Sequence, residues 1–145
     1  MNHAIQPFHD MSSAEVDAIE DHIYDHNRQA TGHDDAQGLA FVIRDEQSRI
    51  IATCAGYTWA GSSELKQLWV DKAYRGRGYG RDLLHAFIEE AARRGVEQIW
   101  VASYDFQAPA LYESAGFERM AEFVGWPSGH SNVLLRLRLP LNRVS

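Results

Sequence analysis

Residues 65–95 read LKQLWVDKAYRGRGYGRDLLHAFIEEAARRG, and the fold turns on them. Leu65 to Val70 has the composition of a β-strand, and Arg75 to Gly80 is a glycine-rich turn. After the turn, Leu83, Leu84, Phe87, Ile88 and Ala91 recur at helical spacing on one face, with Asp82, His85, Glu89, Arg93 and Arg94 on the other. Gly95, after two arginines, is a natural C-terminal stop. Ile99 to Ala102 is a short apolar strand, so the unit should close as a right-handed parallel crossover.

Outward from this unit, Leu39 to Ile43 and Ile50 to Ala55 flank the polar group Asp45 to Arg49 as a hairpin. Ser12 to Glu15 forms a capping box, with Met11 and Val16 as its staple, and predicts a helix from about Ser13 to Arg28. His3 to Phe8 can form a first strand, and Gln29 to Gln37 reads as a loop or a second short helix. Pro109 suits the first turn of a short helix ending at Gly116, with strands at Phe117 to Val124 and Val133 to Leu139. The expected order is β-α-β-β-β-α-β-α-β-β, one domain over residues 1–145 with no repeat or linker.

Composition narrows the function classes. The 145 residues carry 20 acidic against 14 basic side chains, a net charge of −6, which disfavours a nucleic-acid partner held by a broad cationic surface. A cationic partner fits better. The one cysteine, Cys54, and a Met1 to Asp10 stretch without basic or apolar leader regions predict a cytoplasmic protein. No apolar run approaches a membrane span. Against the acidic average, Lys72, Arg75, Arg77 and Arg81 are concentrated at the glycine turn.

At such a turn the glycines let backbone N–H groups converge, and a helix N-terminus adds partial positive charge. That is an anion site, with pyrophosphate the natural guest. The same residues also admit a plain strand-to-helix turn with solvated arginines. A dinucleotide fingerprint fails on spacing, because the glycines stand at 76, 78 and 80 and no acidic strand end follows until Asp105. An ATPase-type phosphate loop fails for want of Gly-Lys before Ser or Thr, and an RGG-type segment would not run straight into a helix.

Arg75-x-x-Gly78-x-Gly80, after Leu68-Trp69-Val70, resembles the acetyl-coenzyme A signature of the GNAT superfamily of N-acetyltransferases. Ala108 to Phe117, which holds Leu111, Tyr112 and Gly116-Phe117, is similar to that family's second signature. Phe106 to Pro109 and Trp126 to His130 look like segments of a bacterial subgroup, and the likeness spans about Phe41 to Leu139. The resemblance implies an α/β, three-layer fold with a central splayed, mostly antiparallel sheet and helices on both faces. It also implies acetyl transfer from acetyl-coenzyme A to a primary amine by direct attack.

Carried over by position, the backbone of Leu68, Trp69 and Val70 would pair with the pantetheine and polarise the thioester. Arg75, Gly76, Arg77, Gly78, Tyr79, Gly80 and Arg81 would hold the pyrophosphate, and Ala108 completes the cofactor set. An alkyl ammonium has a pKa near 10, so a base or a water chain must take its proton. Glu64 is the candidate base, against a solvated strand-end carboxylate or a role for ordered water. Tyr112 is the candidate acid for the leaving thiolate, against simple packing on the sheet. Asp105 departs from the asparagine the family often has there, which exchanges a donor for an anion.

The acceptor side is less legible. Tyr57, Trp59, Trp69 and Trp126 could line a pocket or simply pack. His22 and His26, with Asp21, Asp25, His33, Asp34 and Asp35, complete no strong zinc motif and read as a solvated polar face, so no metal is expected. His130 follows a Pro-Ser-Gly turn as a cleft-mouth or capping residue, and Cys54 reads as a buried strand residue. The expected partner is a small-molecule or peptide amine, with no nucleic acid or membrane; the last two strands leave a homodimer open. The rivals are a longer-chain acyltransferase, a lysine or N-terminal protein acetyltransferase, and a non-catalytic acetyl-coenzyme A sensor.

Overall fold

The computed structural model describes residues 3–140. Met1 and Asn2, where the stretch read for a leader begins, lie outside them, as do residues 141–145 at the end of the expected domain. The chain divides into two compact units, residues 1–34 and 35–145.

In the first unit, helix α1 spans Ser13–Thr31. Its start follows the sequence: the Ser12 hydroxyl accepts from the Glu15 backbone N–H at 3.2 Å, and Glu15 returns the bond to the Ser12 N–H. The helix runs three residues past the expected end at Arg28 because nothing breaks it before Gly32. That glycine adopts φ 75° and donates its N–H to Arg28 O. The first strand expected at His3 to Phe8 does not form. Pro7 carries no ladder donor, and His3-Ala4-Ile5-Gln6 lacks the alternation that would give a strand one apolar face.

In the second unit a six-stranded sheet is built from β1 (Gln37–Arg44), β2 (Ile50–Trp59), β3 (Ser62–Val70), β4 (Gln98–Tyr104), β5 (Glu118–Val124) and β6 (Ser131–Arg138). The spatial order is β1-β2-β3-β4-β6-β5. Every pairing is antiparallel except β3 with β4, the parallel pair expected from the strand-turn-helix-strand unit. The α/β class with a mostly antiparallel mixed sheet is therefore as the sequence predicted. Between β3 and β4 run a 3-10 turn (Lys72–Tyr74) and helix α2 (Tyr79–Arg93); helix α3 (Pro109–Ser114) follows β4. Strand β5 takes the sheet edge, with all seven of its residues exposed.

Helix α2 packs across β1, β2 and β3 and buries Leu83, Leu84, Phe87, Ile88 and Ala91, the five residues its periodicity selected. Phe87 and Leu84 are fully buried against a core that includes Leu39, Cys54, Leu65, Ile99 and Leu135. Complete burial of one such side chain contributes roughly 1.5–3 kcal/mol.

Two features of β3 position the site. Its parallel pairing with β4 stops after three rungs, Ser62 with Gln98 through Glu64 with Trp100, and the strands then part. Where they part, β3 carries one residue more than β2: Ala55 faces Gln67 but Gly56 faces Leu65, leaving Lys66 as the bulge. The bulge shifts the alternation, so Leu65 before it and Leu68 and Val70 after it all turn to the core. It also brings the Glu64 carbonyl against Gly56, where a Cβ would lie 1.9 Å from that oxygen. Only glycine fits there.

Candidate functional site

The gap between the parted strands is a cavity of about 950 Å³. One wall is Lys66 to Val70 of β3, the other Val101 to Ser103 of β4, and Phe106 to Ala108 with Leu111 and Tyr112 closes one end. Residues from both sheet faces line it. Leu68, Val70 and Val101 belong to the core side, whereas Trp69, 44% exposed, alternates with them onto the opposite side. The position, beyond the C-terminal ends of adjacent parallel strands, is the usual crevice for ligands in α/β sheets.

The glycine turn contributes Arg75, Gly76, Gly78, Tyr79, Gly80 and Arg81 to the lining. Gly76 and Gly78 hold φ 77° and 85°, and Gly78 caps α2 without any side-chain bond. Among the described residues, none of the backbone N–H groups from Arg75 to Arg81 donates to a backbone carbonyl. The N–H groups of Gly78 to Arg81, the N-cap and first turn of α2, are therefore free for an anion. Arg81 extends its guanidinium over Gly78, where an added Cβ would lie 3.3 Å from Nη2. The Arg75 Nε–H donates to Val70 O at 3.1 Å, which ties the turn to the end of β3. Arg77 is outside the lining and stacks over the Tyr74 ring at 5.1 Å. At Gly80 a Cβ would touch both Leu111 and Val70 at 3.7 Å, so the two sequence signatures meet in space at that glycine.

Tyr112 lines the cavity and is only 5% exposed. Its ring packs edge-on to Phe117 at 5.6 Å. Burial, and secondarily the neighbouring Cys54, push its hydroxyl up to about 12, so the phenol keeps its proton at neutral pH. Cys54 is itself fully buried, its thiol raised by burial, with Sγ 3.6 Å from Leu83 O. It sits as the core residue its strand position predicted.

Glu64 lies outside the cavity lining. It stands on the last paired rung, between the buried Ser63 and Leu65 and therefore on the face away from the core, opposite Tyr57. Burial, then the charge of Glu64 and a hydrogen bond to it, raise the Tyr57 hydroxyl, and Lys66 Nζ lies 5.3 Å from the centre of the same ring. Of the aromatics considered for an acceptor pocket, Trp69 lines the cavity, whereas Tyr57, Trp59 and Trp126 do not. Trp126 packs on Phe123 at 5.9 Å. Asp105 also lies outside the lining, with its carboxylate on His130 and on the Ser131 N–H.

Sequence reasoning missed Thr53, Lys66, Gln67, Tyr74, Val101 to Ser103, Phe106 and Gln107 as lining residues. For the residues on β3 and β4 the length of their ladder decides, and nothing in local composition marks where that ladder ends.

A family model described as an acetyltransferase (GNAT) domain matches residues 36–119. An acetyltransferase of Agrobacterium fabrum is 29% identical over 130 residues, which cover 89% of this chain and 95% of that protein. A ribosomal protein bS18-alanine N-acetyltransferase of Haemophilus ducreyi is 35% identical over 77 residues, 52% of this chain and 53% of that one. A crystal structure of an acetyltransferase from Agrobacterium tumefaciens superposes with a TM-score of 0.83 at 27% identity, covering 96% of this chain and all of that chain.

Proposed function

Because the chain belongs to the acetyltransferase (GNAT) family and is thus an acyltransferase, we propose that it transfers the acetyl group of acetyl-coenzyme A to a primary amine by direct attack, within one domain of residues 1–145. One observation carries the reading. A single cavity joins a row of free backbone N–H groups, fit for a pyrophosphate, to a protonated phenol about where two strands part. The free donors are a test of fit, since the unpaired N–H groups of Gly78 to Arg81 at the α2 N-terminus call for an anionic group.

In this reading the turn from Arg75 to Arg81 holds the pyrophosphate, with Arg75 and Arg81 adding charge at the lining and Arg77 acting from outside it. The backbone of Leu68 to Val70, left without a β4 partner, offers its polar groups to an extended amide chain, and Ala108 closes the opposite wall. Acetyl-coenzyme A supplies the thioester. Tyr112 gives a proton to the departing thiolate. The acceptor must lose a proton before it attacks. Glu64, on the sheet face away from the core, does not line the cavity and could reach an acceptor only through an intervening water. Similarity to a ribosomal-protein alanine N-acetyltransferase favours, as a second reading, an α-amine on a polypeptide over a free small amine.

The test is release of free thiol from acetyl-coenzyme A across polyamines, aminoglycosides, amino acids and peptides with free α-amines. The reading expects turnover with at least one class. Tight binding of acetyl-coenzyme A with no turnover on any amine would replace it with a non-catalytic sensor. Among the described residues, no helix is long and apolar enough to cross a membrane.

A further inference from the structure

Among the described residues, the cavity lining holds no carboxylate or imidazole to take a proton from an ammonium. Its ionisable lining consists of Lys66, Arg75 and Arg81 with Tyr74, Tyr79 and Tyr112, and includes no aspartate, glutamate or histidine. A cationic amine would be repelled by such walls, so its proton has to be removed at the rim. Glu64 lies outside the lining, on the last paired rung of β3. A second group outside the lining is the imidazole of His130, whose ring touches the wall residue Phe106.

His130 Nδ1 lies 3.0 Å from Asp105 Oδ1. The second carboxylate oxygen of Asp105 accepts from Ser131 N–H at 3.2 Å, and the Asp105 N–H donates to Ser131 O at 3.0 Å. The His130 backbone is held as well: its N–H donates to Pro127 O, and its carbonyl accepts from Gly125 N–H, both at 2.8 Å. The ring meets Phe106 edge-on at 4.9 Å, and Phe106, stacked on Tyr104 at 5.4 Å, is itself a wall of the cavity. A carboxylate on Nδ1 fixes the proton there and leaves the lone pair on Nε2. Among the described residues Nε2 has no hydrogen-bond partner, and the side chain is half exposed.

Resting on the acetyl-transfer reading, we propose that His130 is the base that takes the ammonium proton of the acceptor, and that Asp105 is the residue that positions it. The ammonium gives one proton to Nε2, and the imidazolium, paired with Asp105, passes it to bulk water. The neutral nitrogen then forms the C–N bond as the C–S bond breaks. Tyr112 protonates the thiolate, and the proton lost by the new amide nitrogen restores Tyr112 through solvent.

The experiment compares His130→Gln and Glu64→Gln on two amines at one pH near 7.5. One is an alkyl amine, with pKa near 10.4; the other is a peptide α-amine, with pKa near 8, and so is partly neutral already. His130→Gln should cost about 100-fold in kcat on the alkyl amine and only a few-fold on the α-amine, with KM for acetyl-coenzyme A unchanged. Equal retention on both amines overturns the proposal, as does the selective loss appearing in Glu64→Gln instead. Wild-type turnover tests the parent reading separately. Nitrogen-15 NMR of the imidazole needs no acceptor. It should show the Nδ1–H tautomer in the wild type, a mixture in Asp105→Ala, and restoration in Asp105→Asn, whose carbonyl still accepts. A mixed tautomer in the wild type overturns the proposal whatever the acceptor.

Discussion

Tyr112→Phe removes one oxygen from the cavity wall and separates chemistry from packing. Among the described residues the phenol hydroxyl makes no hydrogen bond, while its ring is held against Phe117 at 5.6 Å and is 5% exposed. Phenylalanine keeps that ring, so stability at neutral pH should change by no more than about 0.5 kcal/mol. The catalytic loss is set by the leaving group. A general acid contributes roughly 10²–10⁴-fold, but a thiol with a pKa near 8.5 departs with less help than an alkoxide, which places the expected fall in kcat at about 10- to 100-fold. Acetyl-coenzyme A affinity, measured by calorimetry, should be nearly unchanged. The same hydroxyl has a second signature. Its folded pKa of about 12 lies above the ordinary value of 10.0, so the unfolded chain ionises first. The stabilisation is complete below pH 10 and is lost as pH rises through 12, an interval of two units worth about 3 kcal/mol. Chemical denaturation between pH 8 and pH 12 should therefore show the wild type losing stability that Tyr112→Phe retains. Full activity in the variant would refute the acid role; equal alkaline loss in both would refute the burial of the phenol.

Other substitutions probe the turn and the bulge. Gly78→Ala places a methyl at φ 85° and 3.3 Å from the Arg81 guanidinium. It should cost about 1–2 kcal/mol of stability and weaken acetyl-coenzyme A binding at least several-fold in calorimetry, with kcat at saturation little changed. Gly56→Ala sets a Cβ 1.9 Å from a backbone oxygen with no side chain to yield. Its thermal midpoint should fall by several degrees or more, from a cost of at least about 2 kcal/mol, and an unchanged midpoint would deny that the bulge at Lys66 is rigid.

The sequence made the central unit legible because its signals are local. A helix with a five-residue apolar face, glycines that free a turn, and a capping box each depend on neighbours a few residues apart, and each appears where expected. The absent first strand failed for a local reason too, since Pro7 interrupts it. What escaped is a matter of register. The parting of β3 from β4 after Glu64 and Trp100, and the extra residue Lys66, determine which side chains face the cavity. Both depend on pairing between distant strands. The Asp105–His130 contact spans 25 residues, and in the sequence Asp105 registered only as an anion in place of an amide.

The net charge of −6 and the cationic cavity point to one division of labour. Lys66, Arg75 and Arg81 line the gap beside the free N–H groups of the turn, so its interior favours an anion and opposes an ammonium at the same time. A cofactor bearing phosphates and an amine substrate therefore cannot share one entrance on equal terms. Lining residues come from both faces of the sheet, and in the proposed reading the side carrying Trp69 receives the second substrate. A carboxylate and a carboxylate-bound imidazole, Glu64 and Asp105–His130, lie outside the cationic lining. An amine approaching there can lose its proton before it meets the positive field, and only the neutral nitrogen, which the field does not repel, need advance to the thioester.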